Sequence, residues 1–353
     1  MESNTKYYND IIREIRDLSV GEAQCSDTVR NILLQQNGWF LLSRVKHLPV
    51  ALRAVFLANQ LYEKKTYAEC AQLFKDLCHI GYAVIKGAVL SNQIYGRPGF
   101  RPSQDIDILT LPENYGEIKK ILMQNGFSQG KIANGKFIPY AREEEIYYRT
   151  FTHQVAPFVR LTDAGITEAI NIDVNLSVMW GESDQKLDMT EFIAHTTTMT
   201  LYGMEVKKLM PEYEFISLCL HHYKDMNSIY LLAKKGLSLS LFCDLYFYIQ
   251  NVAMDTRRLK EIATRRRVDE YLYYCIYYTH ELFQDDRSGK LLTDFNESKN
   301  ETLIDSFGLN DAERRRWNEP FFDRLLDASF SRRFVENLGA KDMDKLRANL
   351  KYL

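Results

Sequence analysis

Asp105 and Asp107 stand two residues apart in the run Asp105-Ile106-Asp107-Ile108-Leu109. In a strand, alternate side chains share a face, so these carboxylates point the same way about 7 Å apart along the chain while Ile106 and Ile108 enter a core. Paired carboxylates on a rigid strand suit a hard cation, and two-metal phosphoryl-transfer sites use such oxygens with ions about 3.5–4 Å apart. Upstream, the apolar run Tyr82–Ile85 stops at Lys86-Gly87. Gly87 lets a backbone pass close to a ligand, and the helix expected after it directs free N–H groups at an anion. Lys86 adds a point charge, and the loop from Gly96 to Gln104 brings Arg97 and Arg101, residues suited to bidentate phosphate contacts. The bland alternative is a plain strand–helix turn followed by solvated arginines. A later alternating segment, Asn171-Ile172-Asp173-Val174-Asn175, sends Ile172 and Val174 inward and Asp173 outward with the two asparagines; an aspartate of an edge strand facing water is the rival reading there.

These residues need a frame. The pattern from 82 to 126 reads strand–helix–strand–helix, with Pro112 opening the second helix and Gly126 closing it. Residues 127–150 are polar and leave a flap or a weak hairpin open. Phe151–Leu161 and Ile166–Met179 read as strands joined by the turn Thr162-Asp163-Ala164-Gly165, which puts His153 in a strand, where a structural role is the simplest. Thr196–Leu209, with Gly203 in its middle, reads as a hairpin that feeds a helix from Pro211 to about Asp225. Helical spacing of Ile11, Ile12, Ile15 and Leu18, and again from Val50 to Leu61, makes residues 6–64 helical with no catalytic constellation. From Gly236 onward the pattern is helical, and the tyrosine-rich stretch around Leu272 and Cys275 is a buried or half-buried helix. The segment 285–300 is polar and reads as a loop. The expected organisation is a helical region at 1–64, an α+β core at 65–210 and a helical domain at 211–353.

The motif resembles the bacterial uncharacterised nucleotidyltransferase family of the polymerase-beta-like superfamily. The likeness rests on Lys86, Gly87, Ala88, Val89, Leu90, Tyr95, Arg97, Arg101, Asp105, Asp107 and Leu109. Two departures are visible: the usual Gly-Ser is Gly87-Ala88 here, and the gap from Ala88 to Asp105 is long. The resemblance implies a mixed sheet with flanking helices and a transfer of a nucleoside monophosphate from an NTP to an acceptor, with release of pyrophosphate. It implies that Asp105 and Asp107 hold two Mg²⁺ ions (or Mn²⁺), that Asp173 shares the metal binding the nucleophile, and that Lys86, Gly87, Ala88, Arg97 and Arg101 hold the triphosphate. Asn175 stands where the family has a histidine. A family helix ending in Leu-x-x-His is matched at Leu218–His221, and its later aspartate by Asp244; packing and orientation roles are expected for His221, His222 and Asp244. The rival class is a nucleotide-binding scaffold that has lost turnover, with Ala88 and Asn175 as signs of decay.

Composition narrows the partners. The 353 residues are 46% hydrophobic and 26% charged with a net charge of −2, values of an ordinary globular protein that give no general electrostatic attraction to nucleic acid or membrane. Basic clusters at Arg257–Lys260, Arg265–Arg267 and Arg314–Arg316 read as solvated helix surfaces, and are the only hints of an RNA acceptor beside a small molecule or a protein. Six scattered cysteines without a C-x-x-C pair favour reduced core thiols over zinc or disulfides. No basic-then-apolar leader and no apolar run of membrane length is present, so a cytoplasmic protein is expected.

Overall fold

Six strands form one mixed sheet in the computed structural model, which describes residues 2–162, 168–181, 183 and 185–350. They are β1 (Tyr82–Ile85), β2 (Asp105–Thr110), β3 (Ser128–Ala133), β4 (Lys136–Pro139), β5 (Phe158–Leu161) and β6 (Ala169–Asn175). The order is β1-β2-β6-β5-β3-β4. Strands β2 and β6 run parallel, and the other neighbours are antiparallel. The architecture is α+β, 57% helical, with helices flanking the sheet.

Alternation sets the core. Tyr82 and Val84 of β1, Ile106 and Ile108 of β2, Phe158 of β5 and Ile170, Ile172 and Val174 of β6 pack with Leu73, Phe74, Ile118 and Leu122 from helices on that face. Each such side chain contributes roughly 1.5–3 kcal/mol on burial. The opposite face of β2 and β6 is thereby left to Asp105, Asp107, Asp173 and Asn175.

The chain divides into two compact units, Ala54–Ser217 and a second built from Met1–Arg53 with Leu218–Leu353. The first holds the sheet and the hairpin β7 (Thr196–Leu201) and β8 (Met204–Leu209). In the second, residues 1–53 fold with the C-terminal helices, where the sequence reading kept 1–64 apart. Leu18 and Leu33 are fully buried there, Arg16 donates to the carbonyls of Leu282 and Glu281 at 2.7 and 3.0 Å, and the Phe40 and Phe247 rings meet edge to face at 4.6 Å. Periodicity shows a helix but not which distant apolar face it covers.

The hairpin left open over 127–150 is present, and three local readings need correction: the strand from Phe151, the loop at 285–300 and the all-helical C-terminal pattern. Residues 127–150 hold the hairpin β3–β4, turned by Asn134 and Gly135 at positive φ, and then a helix, Arg142–Phe151. Glu143, Glu144 and Glu145 lie in its first turn, where acidic residues favour a helix start. The strand expected from Phe151 is therefore only Phe158–Leu161, and His153 lies in a bend rather than a strand. The segment 285–300 is not a loop. Asp285 caps a helix, Asp286–Asp294, by accepting from the N–H groups of Arg287 and Ser288, and Leu291 and Phe295 are buried behind it. Two short strands, Ser306–Phe307 and Arg315–Arg316, also interrupt the helical C-terminal pattern. The expected turn at Thr162–Gly165 falls largely outside the described residues.

Candidate active site

Parallel pairing of β2 with β6 places Asp105 across from Asn171, Asp107 across from Asp173 and Leu109 across from Asn175. Adjacent strands lie about 4.8 Å apart, so the three carboxylates share one face and feel one another. Burial, followed by the charges of Asp107 and Asp105, pushes the Asp173 carboxyl up to about 7, against the opposing pull of Lys86 and Gln154. Burial and then Asp107 also raise Asp105, with Lys86, Ser103 and Arg101 opposing. The acidic face is thus held under electrostatic tension, partly relieved by nearby cations.

The Lys86 ammonium bonds Asp107 Oδ1 at 3.2 Å, and the fully buried Asn175 donates to the same oxygen at 3.0 Å. Gln154 Nε2 reaches Asp173 Oδ2 at 3.4 Å. Ser103 donates to Asp105 Oδ1 at 3.1 Å and to the Asp105 carbonyl at 2.9 Å. The helix Gly87–Tyr95 begins beside them. Lys86 and Gly87 both adopt positive φ, 57° and 47°, and a side chain on Gly87 would come within 3.1 Å of the Ser103 hydroxyl. A tight turn with a hydroxyl against it is the result. Ala88 is buried behind this turn. Arg101 is close enough to Asp105 to oppose its raised pKa, whereas Arg97 is exposed and has no hydrogen bond or ion pair among the described residues.

Sequence reasoning found the carboxylates but not their supports. Ser103, Gln154, Asn175 and a buried glutamate, Glu63, were given no such part. Gln154 carries no local signal, since only the folded chain brings it to β6, whereas Ser103 stands two residues before Asp105 and its contact is local. A cavity of about 580 Å³ opens beside Asp105 and Asp173; Tyr62, Gln104, Lys131, Tyr140 and Asn171 also line it. Its lining cation, Lys131, is tied to Glu144 at 2.9 Å.

The carboxylate set fits a hard divalent cation in chemistry. Asp105 Oδ2, Asp107 Oδ2 and Asp173 Oδ1 accept no hydrogen bond among the described residues, and a cation would offset the repulsion that raises Asp105 and Asp173. Still, among the described residues no three His, Cys, Asp or Glu side chains are drawn into a ready-made ligand cluster. Lys86 supplies the positive charge at Asp107 instead.

The family model of uncharacterised nucleotidyltransferases matches residues 37–284. The chain belongs to that family. Among solved structures it is similar to an antigenic nucleotidyltransferase-like protein from Paracoccidioides brasiliensis, at 16% identity and a TM-score of 0.33 over 59% of this chain and 91% of that one. No curated protein matches it significantly.

Of the remaining candidates, His222 and Asp244 are buried and pair at 3.4 Å, and His221 lies 3.9 Å from Asp225, all in the unit containing residues 218–353. Asp225 is held at about 2: Lys224 and Lys235 outweigh a large opposing effect of burial. These are packed polar contacts within one helical unit. Four cysteines are buried, Cys25 is half-buried and Cys78 exposed, all with free thiols. No helix among the described residues is long and apolar enough to cross a membrane.

Proposed function

We propose that this nucleotidyltransferase-family chain transfers a nucleoside monophosphate from an NTP to an acceptor hydroxyl or other nucleophile, by polymerase-beta-like chemistry. The observation that carries the reading is the register of Asp107 against Asp173 with Asp105 on the same face, beside an open cavity. The nucleophile's oxygen bonds to the α-phosphorus, the bond from that phosphorus to the bridging oxygen breaks, and pyrophosphate leaves. Asp173, on the same face as Asp105 and Asp107, is the carboxylate placed to take the nucleophile's proton. Lys86, the N–H groups at Gly87 and Ala88, and Arg101 hold the triphosphate and neutralise the leaving group. Two Mg²⁺ ions, with Mn²⁺ as a substitute, would be held by Asp105 and Asp107, one of them shared with Asp173, and would supply Lewis-acid polarisation and charge neutralisation. The acceptor enters from the cavity bordered by Tyr62 and Tyr140.

A second reading, a nucleotide-binding scaffold without turnover, draws on Ala88 in place of a hydroxyl and on the Lys86 and Asn175 contacts that occupy Asp107 Oδ1. Transfer of label from α-labelled ATP, GTP, CTP and UTP into cell-extract acceptors, with Mg²⁺ or Mn²⁺, separates the two. An enzyme labels an acceptor, and Asp105→Asn or Asp107→Asn abolishes the label while the protein stays folded. A wild type that binds NTP yet labels nothing supports the scaffold.

A further inference from the structure

The loop carrying Arg101 is clamped by one helix, and the clamp centres on a buried carboxylate. Glu63 lies on the helix Val50–Glu69 with 2% of its surface exposed. Its Oε2 accepts the Gly99 N–H at 3.2 Å and the Tyr202 hydroxyl at 2.7 Å. Tyr202 stands at the turn of the β7–β8 hairpin with φ 53°, so two separate elements converge on one oxygen. The other oxygen, Oε1, is buried without a hydrogen-bond partner. A buried oxygen left without a partner is costly.

What it fixes is the approach to the aspartates. Gly99 packs on the same helix so tightly that a Cβ there would come within 2.8 Å of the Gln60 nitrogen and 2.9 Å of the Phe56 carbonyl, at φ +84°. The Phe56 and Phe100 rings lie 5.0 Å apart. Asn59 donates to the Gly99 carbonyl at 3.5 Å, and Tyr62 to the Gln104 carbonyl at 3.3 Å. The helix therefore grips Gly99 and Phe100 through positions 56, 59, 60 and 63 and Gln104 through Tyr62, immediately before Asp105. Arg101 lies within the grip and acts electrostatically on both Glu63 and Asp105.

We infer that Glu63 is a positioning residue: through the Gly99 N–H it holds the Arg101 loop in the place where the triphosphate binds. The inference rests on the proposed NTP site, and Glu63 itself touches no substrate. Loosening the loop misplaces the Arg101 guanidinium without altering its charge, and so forfeits its charge-assisted hydrogen bonds to phosphate.

The experiment measures binding of MgATP, MgGTP, MgCTP and MgUTP by calorimetry to wild type and to the Glu63→Ala, Glu63→Gln, Gly99→Ala, Arg101→Ala and Glu63→Ala/Arg101→Ala proteins, with amide hydrogen exchange followed at residues 99–101. Glu63→Ala and Gly99→Ala are expected to weaken the preferred nucleotide about tenfold or more, the loss of one hydrogen bond to a charged group, and to speed exchange at Gly99. Glu63→Gln keeps an acceptor for Gly99 and is expected to retain most of the affinity. The double variant should be no weaker than Arg101→Ala alone, because both act through one guanidinium. Additive losses, or wild-type affinity in Glu63→Ala, would overturn the inference. If the wild type binds none of the four nucleotides, the NTP reading itself fails; unchanged exchange at residues 99–101 in both Glu63→Ala and Gly99→Ala would refute the clamp on its own terms.

Discussion

Asp173 is where charge and burial meet most sharply. Its carboxyl is raised to about 7, above the ordinary value near 4 of an unfolded chain. The folded state therefore holds a proton that the unfolded state releases, so this group costs stability progressively as pH rises from about 4 through 7. Asp173→Asn removes that cost. In metal-free buffer it is expected to raise the melting temperature by a few degrees at pH 7.5, and to leave it nearly unchanged at pH 4.5. Equal shifts at both pH values would show that the carboxylate is not under the proposed tension. The same substitution is expected to remove label transfer, since an amide cannot take the nucleophile's proton. Lys86 tells the complementary story: its ammonium stands 3.2 Å from Asp107, so it partly offsets the acidity of the face.

At the scale of elements, the β2–β6 pair decides whether the carboxylates meet. Ile172 is fully buried and pairs with Ile106 across the two strands. Ile172→Ala is expected to cost about 2–5 kcal/mol, read as a lower urea midpoint with an unchanged slope. Ile138→Ala on β4, 42% exposed, is expected to shift the midpoint by less than about 0.5 kcal/mol. A comparable loss at both positions would contradict the assignment of the core to the β2–β6 face. The alternation of Asp105 to Ile108 and of Asn171 to Asn175 was readable from residue types because period 2 is local. The helix Arg142–Phe151 was missed because its acidic first turn looks like a polar loop until the capping contact of Glu144 with the Ala141 N–H is seen.

For the whole molecule, the unit that joins residues 1–53 to 218–353 makes the first helices part of a later core. Removing residues 1–53 strips Leu18, Leu33 and Phe40 from that core. The truncated chain is expected to aggregate or to lose a cooperative transition on heating. A truncated protein that stays monomeric by light scattering and melts as sharply as the full chain would show that the segment is dispensable to the unit.

The sequence alone pointed to the nucleotidyltransferase family that the family model matches, and to the strand on which the proposed site is built. Alternating aspartate and isoleucine, a glycine after an apolar run, and a nearby arginine are local facts whose physical meaning survives without coordinates. It also placed Asp173 on a strand of the same kind. Only the tertiary structure decided that β6 lies parallel to β2 in the register that sets Asp107 against Asp173. Only it brought Gln154 to Asp173 and Asn175 to Asp107, and Glu63 to Gly99 across 36 positions of chain. Those partners are chosen by packing between distant segments, and spacing along the chain carries no trace of which apolar faces will close on one another.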